Sequence, residues 1–87
     1  MNPEQIYQQL KELAEKLDIQ VSEQNFKKTG IPVKSGFCKV KDRQRFIIDK
    51  NLSVSQKNQL LASFLNRFQL DNMFILPKIR DYIERQK

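Results

Sequence analysis

Apolar residues recur every three to four positions at both ends of this chain and every second position in its middle. That change of period most narrows the folds open to it. A helix buries one stripe and a strand buries alternate residues, so terminal helices must cover one face of a small central sheet. The expected class is α+β: an N-terminal helix, a small and mainly antiparallel sheet of two or three strands including a hairpin, then two C-terminal helices. With 87 residues there is room for one domain, 1–87.

The first helix is read over residues 3–17. Asn2 is its N-cap, Pro3 stands at the first helical position, and Gln5 is placed to close a capping box. Ile6, Leu10, Leu13 and Leu17 form the stripe, widened by Tyr7 and Ala14, with Lys11, Glu12, Glu15 and Lys16 opposite. Glu12 and Lys16 are spaced for an i,i+4 pair. Residues 18–22 switch to a period of two, which predicts a short strand. In residues 23–36, Thr29-Gly30 reads as a turn, and Pro32 restricts Ile31-Pro32-Val33 to a sheet edge or a loop.

Gly36 to Val40 and Arg45 to Asp49 flank the polar Lys41-Asp42-Arg43-Gln44 and predict a hairpin. The loop has no glycine, which argues for a four- or five-residue connection over a two-residue primed turn. Ser53 and Gln56 then form a second capping box, followed by a broad apolar face of Leu60, Leu61, Phe64, Leu65 and Phe68, expected to be the most buried helix. Asp71 to Leu76 reads as a connector, and Pro77 starts a final helix with Ile79, Tyr82 and Ile83 on one side.

Most catalytic constellations are missing. There is no His and a single Cys, which removes the common general base, the usual zinc sites and any intrachain disulfide. Two glycines cannot build a phosphate-cradling loop. Cys38 reads as a core thiol, Asp42 and Asp49 as salt-bridge partners rather than metal ligands, and Tyr7 and Tyr82 as core or core-edge residues. No catalytic activity and no cofactor are expected. No cationic leader precedes an apolar stretch at Met1-Asn2-Pro3, and the longest apolar run is Met73 to Leu76, so the expectation is a cytoplasmic chain that meets no membrane.

The net charge of +6 is unevenly spread. Residues 1–26 set Lys11 and Lys16 against Glu4, Glu12, Glu15, Asp18 and Glu23, a net of −3, whereas residues 27–50 carry a net of +6. On the predicted hairpin, Cys38, Val40, Phe46 and Ile48 make an inner set; Phe37, Lys39, Lys41, Arg45, Ile47 and Asp49 make an outer one. The candidate interaction surface is Phe37, Lys39, Lys41, Arg43, Arg45 and Ile47. Three readings compete for it. It is a protein interface or homodimer contact with an apolar centre and charged rim; or it binds nucleic acid, the cations tracking phosphates and Phe37 stacking on a base; or it is an ordinary solvated sheet edge whose lysines discourage aggregation.

Gly36-Phe37-Cys38-Lys39-Val40-Lys41, Phe46-Ile47-Ile48-Asp49, the Ser55 to Phe68 helix and Leu76-Pro77-Lys78-Ile79-Arg80-Asp81-Tyr82-Ile83 resemble a group of small bacterial proteins of uncharacterised function. That resemblance covers nearly the whole chain and implies no substrate or cofactor. The order of parts is also distantly similar to the core of zincin-like metallopeptidases. In those enzymes the helix after the last strand carries HExxH, and here Leu60-Leu61-Ala62-Ser63-Phe64-Leu65-Asn66-Arg67 has neither His nor Glu. The likeness therefore implies a metal-free, inactive relative.

Overall fold

A computed structural model describes residues 1–25, 36–40 as backbone, and 43–86. The elements are α1 (Pro3–Lys16), β1 (Ile19–Gln24), β2 (Gly36–Val40), β3 (Arg43–Asp49), α2 (Val54–Leu65) and α3 (Pro77–Glu84). The expected turn at Thr29-Gly30, the Ile31-Pro32-Val33 segment, and Lys41 and Asp42 lie outside the described residues.

Both predicted capping boxes form. The Asn2 side chain accepts from the Gln5 N–H at 2.8 Å while Gln5 Oε1 accepts from the Asn2 N–H at 3.0 Å. Ser53 and Gln56 repeat the pattern at 3.2 and 3.0 Å. Each box satisfies helix N–H groups that have no partner within the helix, worth about 1 kcal/mol apiece. α1 ends at Leu17, whose N–H reaches Ala14 O, and Asp18 turns the chain into β1 with φ of 61°. Asp is among the few side chains that enter this left-handed region at modest cost.

The sheet has the order β1-β3-β2, and it corrects the expectation of a mainly antiparallel one. β1 runs parallel to β3 over six pairs, from Ile19 opposite Gln44 to Gln24 opposite Asp49; β2 runs antiparallel to β3 over five. The parallel ladder is thus the longer of the two. Side chains alternate with a period of two whichever way the neighbouring strand runs, so the apolar pattern of residues 18–22 carried no information about direction. The stretch between β1 and β2 is long enough for β1 to pair on the far side of β3. β3, the strand with three consecutive apolar residues, takes the centre.

The connection between β2 and β3 is also shorter than expected. Val40 pairs with Arg43, so only residues 41 and 42 separate the strands. Arg43 and Gln44, read from their polarity as loop, continue the strand: Arg43 is exposed at a position of the face turned away from the helices, where a polar residue costs little, and Gln44 stands opposite Ile19 at the end of the covered face.

Helices cover the face that carries Ile19, Phe46 and Ile48. α1 packs against β1 and α2; α2 also meets β3 and α3. The core joins Tyr7, Leu10, Leu13 and Ala14 of α1 to Leu61, Ala62, Phe64 and Leu65 of α2 and to Ile79 and Ile83 of α3. Phe64 stacks on Phe46 with ring centroids 4.4 Å apart and meets Phe68 edge-on at 5.2 Å. Asn58, 2% exposed, donates from Nδ2 to Pro3 O at 2.9 Å and ties α2 to the start of α1. At the other end of the molecule, Asn66 Nδ2 donates to Ile83 O and Ser63 Oγ to Gln86 O, so residues at the end of α2 satisfy carbonyls at the end of α3.

Candidate functional site

The register regroups the predicted surface. Phe37 stands opposite Phe46 and Lys39 opposite Gln44, whereas Gly36 stands opposite Ile47, Cys38 opposite Arg45 and Val40 opposite Arg43. Directly paired residues share a face of the sheet, so Phe37 and Lys39 fall at positions of the helix-covered face and Arg43, Arg45 and Ile47 at positions of the other. The inner set of Cys38, Val40, Phe46 and Ile48 is corrected with it: Cys38 and Val40 change sides. The reason is loop parity. An even-numbered loop pairs odd positions with even ones, and an odd-numbered loop would have kept the expected sets together.

Arg43 is exposed, and Arg45 and Ile47 are half-buried. The side chains of Phe37 and Lys39 and all of Lys41 lie outside the described residues. Asp49 closes β3, accepting from the Asn51 N–H at 3.0 Å and from Asn51 Nδ2 at 3.1 Å.

Ionisable groups converge on the covered face, where Glu23 leaves β1. Tyr7 Oη donates to Glu23 Oε2 at 2.7 Å and Lys57 Nζ to Glu23 Oε1 at 2.8 Å. Lys11 Nζ sits 4.7 Å from the centre of the Tyr7 ring, close enough for cation–π attraction. Burial opposes ionisation of Glu23, and the Lys57 and Tyr7 hydrogen bonds with the charges of Lys57 and Lys11 outweigh it, holding the carboxyl below its usual 4.5. Burial, then the bond and charge of Glu23, push the Tyr7 phenol above the usual tyrosine value. Both shifts strengthen the contact, favouring an ionised Glu23 that accepts from a protonated Tyr7. Each Glu23 oxygen accepts one hydrogen bond, from Tyr7 of α1 and from Lys57 of α2, so the group acts as a brace across α1, β1 and α2.

The brace makes stability depend on acid. A carboxyl with a depressed folded value stabilises the fold above its unfolded value, about pH 4.5, and that contribution is lost as pH falls through the folded value. The Glu23 side chain is 33% exposed, which limits the pair's worth to about 1 kcal/mol. Glu23→Gln is expected to cost about that much near pH 7, with the gap to the unsubstituted chain narrowing toward about pH 3. Urea unfolding at both pH values checks this; a gap that does not narrow would refute it.

A second place stands out on the opposite flank. Met73, Phe74, Ile75 and Leu76 follow Asp71-Asn72 and precede α3, and Phe74 is 79% exposed. The turn that displays it is fastened. Met73 N–H donates to Leu70 O at 3.1 Å, and Arg80 Nη2 reaches back from α3 to Leu70 O at 3.2 Å and Met73 O at 3.3 Å. Leu70 is buried, while Met73, Ile75 and Leu76 pack against the core edge. Phe74 thus projects from a supported turn. Beside it a cleft of about 160 Å³ runs along α1, bounded there by Gln9, Glu12, Leu13 and Lys16 and on the other side by Ile75, Leu76 and Ile79.

Sequence reasoning placed these residues in a connector and did not single them out. A signal was available: four consecutive apolar residues follow neither helical nor strand period, so one side cannot cover them all. Among the described residues no group of three or more Cys, Asp and Glu could hold a metal ion, and no helix is long and apolar enough to cross a membrane.

No protein-family model, curated protein or solved structure matches the chain. No family thus lends it a substrate or a catalytic residue.

Proposed function

We propose that this chain is a non-catalytic protein-interaction module whose anchor is Phe74 beside the α1 cleft. The observation that carries the reading is the 79% exposure of a phenylalanine on a turn fastened by Arg80. Aromatic side chains are the commonest energetic anchors of protein interfaces, and a rigid display reduces the entropy lost on docking. Contiguous apolar surface marks interaction sites, and Phe74 adjoins the partly buried Met73, Ile75 and Leu76. The reading keeps the interaction role expected from the sequence and moves its centre from the hairpin to the α2–α3 connector.

Phe74→Asp tests it. The substitution touches an exposed side chain, so the melting temperature is expected to stay within a few degrees of the parent, about 0.5 kcal/mol. Association, with itself or with another protein, is expected to weaken at least about thirtyfold. Equal association profiles for the two chains in sedimentation and quantitative affinity capture would sink the reading.

A second reading, nucleic-acid binding by the hairpin, draws on Arg43 and Arg45. They share a register face, and neither pairs with a carboxylate among the described residues. Binding of that kind falls steeply between about 50 and 200 mM salt and does not depend on Phe74. Titration of labelled single and double strands separates the two.

A further inference from the structure

We propose that the occupant of the Phe74 cleft is a second copy of this chain, docked about a two-fold axis that passes between the two α1 helices at the level midway between Glu12 and Lys16. The inference rests on the reading of Phe74 as an interaction anchor and names its partner.

The charges along the cleft select that partner. Gln9, Glu12, Leu13 and Lys16 follow the spacing i, i+3, i+4 and i+7, so they form one stripe of α1 beside Phe74. Leu13 is buried, and Glu12 and Lys16 are exposed. The i,i+4 pair expected between Glu12 and Lys16 does not form: the ion pairs among the described residues are Lys57–Glu23 and Arg85–Asp81. Glu12 accepts one long bond, 3.4 Å from Gln8 Nε2. The rim therefore presents one anion and one cation, one helical turn apart, with neither charge neutralised by an ion pair among the described residues.

A partner of uniform charge gains little at such a rim. A polyanion attracted by Lys16 is repelled by Glu12, and a basic peptide meets the reverse. What fits is a surface carrying the same two charges in opposite order. A second α1 running antiparallel across a two-fold axis supplies that order by symmetry, placing Glu12 against the other copy's Lys16 and Lys16 against its Glu12. The same operation brings two Phe74 rings and two sets of Ile75 and Leu76 together, giving an apolar centre flanked by two symmetry-related ion pairs.

Symmetry also makes the inference sharply testable, through charge reversal. Glu12→Lys turns each of the two symmetry-related ion pairs into a meeting of two cations, and Lys16→Glu turns each into a meeting of two anions. Each substitution is expected to weaken dimerisation at least about tenfold. An equimolar mixture of the two variants restores both pairs, as a heterodimer, and is expected to recover the parent affinity. Sedimentation velocity over a concentration series reads the association, and circular dichroism with thermal melting verifies that each variant folds.

Recovery on mixing supports the inference. A parent chain that stays monomeric to about 1 mM overturns it while leaving the interaction reading to stand on Phe74-dependent capture of another protein. A dimer that persists in Glu12→Lys and Lys16→Glu but is lost in Phe74→Asp overturns the two-fold arrangement alone. A dimer indifferent to Phe74→Asp overturns both.

Discussion

Phe64→Ala is expected to lower the unfolding free energy by about 3–5 kcal/mol, the largest effect of any single truncation considered in this chain. Phe64 is 6% exposed and, among the described residues, lies between two other rings, stacked on Phe46 of the central strand and edge-on to Phe68 beyond α2. Its removal takes away apolar burial, leaves a cavity between α2 and the sheet, and deletes the ring contacts with Phe46 and Phe68, worth about 0.5–1.5 kcal/mol each beyond their area. Domains of this size hold roughly 4–13 kcal/mol in total, so the loss consumes a large share of the stability. The midpoint temperature should fall by about 15–30 °C. Urea unfolding at 25 °C measures it, with Phe64→Leu as a milder control. A loss below about 1 kcal/mol would mean that α2 and β3 are held together by something other than these rings.

The second large effect is a contrast between neighbours. Ile48 is 0% exposed on the helix-covered face, and Ile47, one residue earlier on β3, is half-buried on the other. Ile48→Ala is expected to cost about 2–5 kcal/mol, and Ile47→Ala less than about 1.5 kcal/mol. Strand geometry makes the comparison clean, since the two share a strand, a side-chain type and a β-propensity, and differ in the face they occupy. Equal losses would show that the second face of the sheet is as dry as the first, which would remove Arg45 and Ile47 from any account of an open hairpin surface.

Much of the helical structure was legible in the residues themselves. Asn2-Pro3-Glu4-Gln5 and Ser53-Val54-Ser55-Gln56 are read locally, because a capping box closes within four residues and owes nothing to distant contacts. The stripe of Leu10, Leu13 and Ala14 and that of Leu61, Phe64 and Leu65 are equally local, and each is buried. The brace was less legible. Tyr7, Glu23 and Lys57 lie 16 and 34 residues apart, and nothing in their spacing announces that one carboxylate will receive both donors. The supported turn was hidden for a related reason: Arg80 on α3 looks like any solvated helix cation until the fold brings it beneath the carbonyls of Leu70 and Met73.

Sequence alone therefore determined where the helices start, most of the stripes they bury, and that alternating residues in the middle build a sheet; Leu60, read into the buried face of α2, is instead 37% exposed. Those features depend on neighbours within a turn or two, where period and capping chemistry leave little choice. Tertiary structure alone decided that β1 joins β3 in parallel, that Phe37 and Ile47 fall at positions of opposite faces, and that Phe74 is displayed instead of buried. Strand direction does not alter an alternating pattern, a single residue of loop length exchanges the faces of a hairpin, and the exposure of an apolar side chain depends on how much core the other elements leave to be covered.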